Sequence, residues 1–516
     1  MNLMTSQEYC ESLDSYSPNV YVRGSKVDSV ASHPMLAPGV NAIAMTYDFA
    51  RMSEHRDYAL AEQHTSGRTV NRFVHINRDA DDLLCKLEYV RAVCQLTGCA
   101  MRYLSMDGLN ALFQATYQMD AEYGTEYSTR LIEQMHRIQQ EDLTVGIAMT
   151  DAKGDRSLRP SEQPKPDSHL HIVNRRPDGI EISGVKAIVT AAPYVHELFV
   201  LPGRNMSRED KDFAVACQVP IDAKGLTIIA RPAGRPGDPT AEFSSRFGQS
   251  TGVCIFENVF VPYDRVYMCG EWEHAEYLTK TYANHHRHTC IGARAGFGDL
   301  LIGASGMMIE TNGLDANAEP HLKDSMVELI KTVESFYACG VSASVYCTTT
   351  AAGNCEPDAV YSNIGKLMLA NSIYDMHRIA NTVSGGLIVT LPHPDDDHNP
   401  DTMHKLDTLM SASPDIPPHR RATVARLIED LTASHSGAWY SVISVHGGGS
   451  PEAMKREIYR KYPVAAKAEF VQRLIERGVH ESSGNTAKQP GQCCDTGCEP
   501  PEKSTIPTRE KRRLLR

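Results

Sequence analysis

No Cys-x-x-Cys pair occurs anywhere in the 516 residues, although 14 cysteines are present. That absence removes the commonest zinc and dithiol patterns. No segment approaches the roughly 18 consecutive apolar residues of a membrane span. Residues 1–13 carry Glu8 and Glu11 in place of a basic stretch followed by an apolar one. Neither a membrane segment nor a secretory leader is therefore expected, and the expected compartment is the cytoplasm. Basic character is missing as well: the formal net charge is -12, and no long basic stripe appears before the last dozen residues. Such a balance repels phosphate backbones, so nucleic acid is not an expected partner. There is no Gly-x-Gly-x-x-Gly run after a strand pattern, hence no expected nicotinamide site, and no internal repeat.

What remains is ordinary globular composition, 41% hydrophobic and 22% charged, in a chain longer than the roughly 250–300 residues one core can serve. Two or three packed domains are expected. Eleven cysteines are scattered singly and read as buried thiols behaving as small apolar residues. Cys493, Cys494 and Cys498 lie in a Pro/Gly/Lys-rich tail. A metal site and an unstructured thiol cluster are the two readings there, the second being the expectation.

Thr5-Ser6-Gln7-Glu8 has the spacing of a capping box, so a helix should start there. Charged and apolar positions then mix at helical spacing from about Asp57 to Gln140. The texture changes near Leu143. Leu170 and Ile172 alternate with His169 and His171, Pro177-Asp178-Gly179 makes a turn, and Ile180 and Ile182 resume the alternation. That is a strand–turn–strand signal, and residues 224–230 and 252–261 read as further strands. Helical stripes return with Met326, Leu329, Ile330, Val333 and Phe336, and with Val424, Leu427, Ile428 and Leu431. Residues 392–418, rich in Pro, Asp and His, read as a long loop. The expected division is an N-terminal helical domain (1–143), a middle β domain (144–275), a C-terminal helical bundle (276–484) and a disordered cysteine-containing tail (485–516).

The strongest local signal is Ala148-Met149-Thr150-Asp151-Ala152-Lys153-Gly154-Asp155-Arg156. It packs hydroxyl, carboxylate, glycine and two cations into one segment entering the β region. A flavin needs such a set: its ring edge wants donors and acceptors, and its pyrophosphate wants cations or backbone amides. A polar surface turn is the alternative. His446-Gly447-Gly448-Gly449 reads either as backbone that approaches a substrate or flavin closely, or as a tight helix connection.

The 148–156 segment resembles the flavin-binding stretch of 4-hydroxybutyryl-CoA dehydratases. Further similar stretches follow in order, among them Thr69-Val70-Asn71-Arg72-Phe73, Glu257-Asn258-Val259-Phe260-Val261-Pro262 and His446-Gly447-Gly448-Gly449-Ser450-Pro451. Over roughly residues 1–480 the chain is thus identified as a member of the flavoprotein family that contains 4-hydroxyphenylacetate 3-hydroxylase and 4-hydroxybutyryl-CoA dehydratase, nearer the dehydratase branch. The resemblance implies an α+β, acyl-CoA-dehydrogenase-like fold with a middle β-barrel, a homotetramer, and FAD held by Met149, Thr150, Asp151, Lys153, Gly154, Asp155, Arg156, Lys186, Thr190, Arg294, Gly385 and Gly386. At Arg294 the family has lysine, so a cation is kept with different geometry.

The resemblance also fails at informative places. The dehydratase holds a [4Fe–4S] cluster by Cys-x3-Cys and His-x6-Cys. Here those positions read Cys99, Tyr103, His286 and Ala293, so two ligand types remain where four are needed, and no metal is expected. Cys94 and Cys290 are the candidate substitutes, and Cys290, one helical turn from His286, is the conceivable one. The dehydratase's acidic catalytic residues fall on Thr251 and Ile443, and its active-site tyrosine on Cys290. The phenol-holding histidine of the hydroxylase branch falls on Ile147, and a substrate motif of that branch reads Ser105-Met106-Asp107-Gly108-Leu109.

In His285-His286-Arg287-His288, adjacent histidines on a helix point in different directions, which excludes a compact metal site built from the run alone. His286 is read as the catalytic acid/base, with a surface histidine cluster as the alternative. The leading expectation is an FADH2-using monooxygenase of a small or carrier-bound organic substrate, served by a separate flavin reductase. The alternatives are a cluster-free lyase, isomerase or dehydrogenase acting on an acyl-CoA, and a non-catalytic flavoprotein.

Overall fold

In a computed structural model that describes residues 3–483, helices flank two sheets. The capping box forms as expected: Glu8 N donates to Thr5 Oγ1 (3.1 Å) and Thr5 N to Glu8 Oε2 (2.7 Å), opening the helix Ser6–Asp14. The predicted hairpin is also present, as strands His171–Arg176 and Gly179–Thr190. The run at 224–230 becomes Leu226–Ala230, and that at 252–261 becomes Thr251–Pro262.

These four strands form a six-stranded sheet together with Asn19–Val22 and Ser25–Lys26 from the start of the chain. Val145–Ala148, Glu197–Val200, Val215–Pro220 and Val266–Cys269 make a four-stranded sheet. Each has two free edges, so the expected β-barrel is replaced by two open sheets. Alternation along a strand reports which face is buried, and it carries no information about whether a sheet closes. Residues 392–418 also differ from expectation: they include a short 3-10 helix, Pro394–His398, and the helix Met403–Met410. Leu406 and Met410, four apart, supply the inward face that the surrounding polar composition concealed. The tail with Cys493, Cys494 and Cys498 lies outside the described residues.

At the centre runs one continuous helix, Ala275–Thr311, which packs on the helices Ala80–Thr97, Leu104–Tyr123, Pro320–Val345 and Ala359–Val383. The inward positions of the two predicted stripes, Leu329, Val333 and Phe336, then Val424, Ile428 and Leu431, are buried, while Ile330 is exposed. Glycine sets the distance between the central helix and Ala80–Thr97. A methyl group on Gly296 would come within 2.3 Å of Arg91 O and 2.8 Å of Cys94 Cβ, and one on Gly292 within 2.8 Å of Leu87 O. Backbone cannot yield as a side-chain tip can. Gly296→Ala is therefore expected to cost about 1–3 kcal/mol by overpacking, read as a lower denaturant midpoint at unchanged m-value. Among the described residues, no helix is long and apolar enough to cross a membrane.

Candidate functional site

Met149, Thr150 and Asp151 follow directly on the strand Val145–Ala148, and Lys186 lies on Gly179–Thr190. Lys186 is buried and uses all three ammonium protons inside the chain, on Asp151 Oδ1 (2.7 Å), Met149 O (2.9 Å) and Leu201 O (2.9 Å). Asp151 Oδ1 also accepts from Leu170 N (3.0 Å), and Ala187 N donates to Thr150 O (2.8 Å). Lys186 thus anchors the segment, whereas Thr150, Lys153, Gly154, Asp155 and Arg156 stay exposed. Gly154 has φ 52°, which favours glycine there. Thr190 is buried opposite Thr251. Gly385 and Gly386 form a left-handed turn after the helix Ala359–Val383, with no atom within 4 Å of where a Cβ would stand.

The second group of residues gathers around the central helix, where His286, Cys290 and Arg294 recur every four residues and so share one face. His286 Nδ1 lies 3.0 Å from Asp107 Oδ2, and Cys290 Sγ lies 3.5 Å from His286 Nε2. Asp107 has no solvent exposure. Its other oxygen accepts from Lys86 Nζ (3.1 Å) and Thr289 Oγ1 (2.6 Å). Burial works against the ionised carboxyl, but Lys86, His286 and Thr289 outweigh it and hold Asp107 at about 2. Burial likewise opposes a charged His286, yet the Cys290 and Asp107 anions raise it to about 10. The same pairing lowers the Cys290 thiol from its usual range against burial, helped by Lys366 and Arg294. The pairing therefore shifts His286 towards imidazolium and Cys290 towards thiolate. Lys366, fully buried, donates to Ser444 O (2.6 Å), and burial brings it down to about 8.

The histidine run is buried, which removes the surface-cluster reading, and its members do point apart. His285 Nε2 meets Gln114 Oε1 (2.7 Å), while His288 Nε2 meets Ser344 Oγ (2.8 Å). The glycine loop is a tight helix connection, the second of its two readings. It joins the helices His435–His446 and Pro451–Lys461, and Gly448 O accepts from Arg287 Nε (2.8 Å). A Cβ on Gly448 would stand 3.5 Å from His286 Cδ2. Arg294 is buried with Nη1 unpartnered among the described residues, and its guanidinium carbon lies 5.6 Å from the Tyr440 ring centroid. Tyr440 and Gln249 floor a small cleft also lined by Arg231, Gly234, Gly248, His435 and Trp439, and Gln249 Nε2 donates to Cys99 O.

Lys86, Thr289 and Lys366 are absent from the sequence-based site, and Asp107 entered it only inside a motif. A signal existed: a lone charge within an apolar turn, as in Met106-Asp107-Gly108-Leu109, must find a buried partner.

Residues 5–268 match the family model for 4-hydroxyphenylacetate 3-hydroxylase N terminal, and residues 275–476 match that for its C terminal. The chain belongs to the 4-hydroxyphenylacetate 3-hydroxylase family. This family member is 35% identical over 491 residues to 4-hydroxybutyryl-CoA dehydratase/vinylacetyl-CoA-Delta-isomerase of Clostridium aminobutyricum, covering 92% of this chain and 99% of that protein. It is 25% identical to the oxygenase component of 4-hydroxyphenylacetate 3-monooxygenase of Thermus thermophilus, over 92% of this chain and 98% of the relative. The oxygen-tolerant archaeal 4-hydroxybutyryl-CoA dehydratase from N. maritimus superposes with TM-score 0.88 at 32% identity, over 96% and 98% of the two chains. An oxygenase component of 4-hydroxyphenylacetate 3-monooxygenase solved with FAD superposes at 0.81 with 21% identity, over 93% and 100%. Coverage near full length in both branches bears out the expected family fold, the barrel excepted.

The cluster of the dehydratase pattern does not fit this family member. Tyr103 Oη sits 3.2 Å from Cys99 Sγ, both nitrogens of His286 are engaged, and Ala293 offers no donor. Among the described residues, no group of three or more His, Cys, Asp or Glu is arranged to hold a metal ion.

Proposed function

We propose that this family member is a flavin-dependent oxidoreductase, specifically an FADH2-using monooxygenase of a small or carrier-bound organic substrate, working with a separate flavin reductase. The observation that carries it is the buried cationic centre. Arg294 has a free Nη1, Lys366 and protonated His286 stand nearby, and the one carboxylate there, Asp107, is already committed to three donors. Such a centre stabilises an anionic ring and anionic oxygen chemistry, and it lacks a carboxylate base for abstracting an unactivated C–H proton.

FAD would be held by Thr150, Lys153, Asp155 and Arg156 on the segment that Met149, Asp151 and Lys186 fix, with Gly154 allowing close approach. Thr190, Gly385 and Gly386 complete the contacts, and Arg294 meets the ring. Bound FADH2 supplies the two electrons for oxygen activation. His286 holds a proton at Nε2, and Tyr282, stacked on it at 5.6 Å, keeps water from that face. We further propose a homotetramer, which the exposed Phe470, Val471, Leu474 and Ile475 of the last helix support as a surface to be covered.

Protein loaded anaerobically with FADH2 and mixed with oxygenated buffer should delay the appearance of FAD by at least tenfold relative to free FADH2. Immediate FAD formation with stoichiometric hydrogen peroxide would refute the monooxygenase reading. A cluster-free lyase or isomerase on an acyl-CoA is the second reading, favoured by the higher identity to the dehydratase. Turnover that persists without oxygen selects it.

A further inference from the structure

We propose that Cys290 is a nucleophile, and that Cys290, His286 and Asp107 form a triad that takes up the acyl group of a thioester. The geometry is that of an activated thiol: nucleophile to base 3.5 Å (Cys290 Sγ to His286 Nε2), base to orienting carboxylate 3.0 Å (His286 Nδ1 to Asp107 Oδ2). Asp107 is fixed in turn by Lys86 and Thr289, so the imidazole ring has one orientation. Cys290 keeps partial exposure, while His286, Asp107, Lys86 and Lys366 are buried.

One turn further along the same face, Arg294 offers a buried, unpartnered Nη1 where negative charge would develop. Nucleophile, base, orienting group and anion donor are then all supplied by one chain; His286 and Arg294 are shared with the flavin reading, and the tests below need no flavin. Tyr282, Arg287 and Arg294 from the same helix interact electrostatically with Cys290, as do Lys86, Tyr103 and Lys366 from neighbouring elements. Cations outnumber ionised acids among them, which favours a thiolate.

A thioester is the matched electrophile because thiolate-for-thiolate exchange is close to thermoneutral. The Cys290 thiolate adds to the thioester carbonyl, and the bond from that carbon to the departing sulfur breaks. The leaving thiolate takes the proton from His286 Nε2, leaving neutral His286 and an acyl group on Cys290 sulfur. One C–S bond forms and one breaks, with no oxidant or reductant consumed. Asp107 is a positioning residue in this scheme, since it acts through His286.

The test uses the full-length protein as purified. Iodoacetamide labelling, mapped by peptide mass spectrometry, should modify Cys290 at pH 6 within about threefold of its rate at pH 9, whereas an ordinary thiol slows about 200-fold over that range. Butyryl-CoA should release CoA, measured by chromatography, and leave a butyryl group on Cys290 unless hydrolysis removes it. Cys290→Ser should abolish that release. His286→Gln and Asp107→Asn should return the labelling of Cys290 to the ordinary pH profile while leaving it reactive at pH 9, in variants whose circular dichroism spectrum and cooperative melt show them to be folded. An ordinary profile in the unaltered protein, no labelling at either pH, or CoA release that survives Cys290→Ser would each overturn the proposal.

Discussion

Asp107→Asn should lower the stability of the protein by about 3–5 kcal/mol, because it removes one half of a fully buried ion pair. The remaining Lys86 ammonium, with no solvent exposure, would keep only neutral acceptors, the new amide oxygen and His285 O at 3.2 Å. Burial already pulls Lys86 below the usual lysine value against the pull of Asp107, so the variant should favour neutral lysine. The pH dependence follows from Asp107 itself. Its folded value of about 2 lies below the roughly 3.9 of an unfolded aspartate. Its contribution is therefore complete above about pH 4 and is lost as pH falls towards 2. Chemical denaturation from pH 2 to 7 should show that slope in the unaltered protein and a shallower one in Asp107→Asn. Equal slopes would mean that Asp107 is not held ionised by its neighbours.

Asp142→Asn should cost a similar amount, about 3–5 kcal/mol, at the opposite side of the N-terminal helices. Arg102 is fully buried, donates to Asp142 Oδ1 and lies 3.6 Å over the Tyr47 ring. Among the described residues, two of its nitrogens, Nε and Nη1, have no partner, so the Asp142 carboxylate is the chief compensation for that charge. Burial pushes the Asp142 carboxyl up despite Arg102, which means that the pair is a poor net stabiliser and still a costly one to halve. Asp142 Oδ2 also accepts from Met4 N (3.1 Å). The variant should then expose the first helix to proteolysis before the rest of the chain, and a melt unchanged from the parent would contradict the assignment.

The sequence was most legible where local rules decide. Thr5 and Glu8 announced a helix start, Pro177-Asp178-Gly179 a hairpin, and Leu329, Val333 and Phe336 an inward face, each a matter of spacing within one element. Closure of the sheets was not legible, since pairing of Asn19–Val22 with Leu226–Ala230 joins segments about two hundred residues apart. The site was legible by half. His286 and Arg294 came from the resemblance, and Cys290 was weighed as a replacement cluster ligand. Asp107 and Lys86, which decide what His286 does, sit on two other helices and meet only after packing. Lys186 shows the converse: the resemblance implied a flavin contact, while all three of its protons are consumed by Asp151, Met149 and Leu201.

The uninterrupted 37-residue helix Ala275–Thr311 has a consequence for how this chemistry diversifies. Its helical rise fixes the spacing of positions 286, 290 and 294 at about 6 Å per four residues, whatever side chains occupy them. Reactivity can therefore be exchanged one rung at a time, tyrosine for thiol or lysine for guanidinium, on a scaffold whose neighbours need not move.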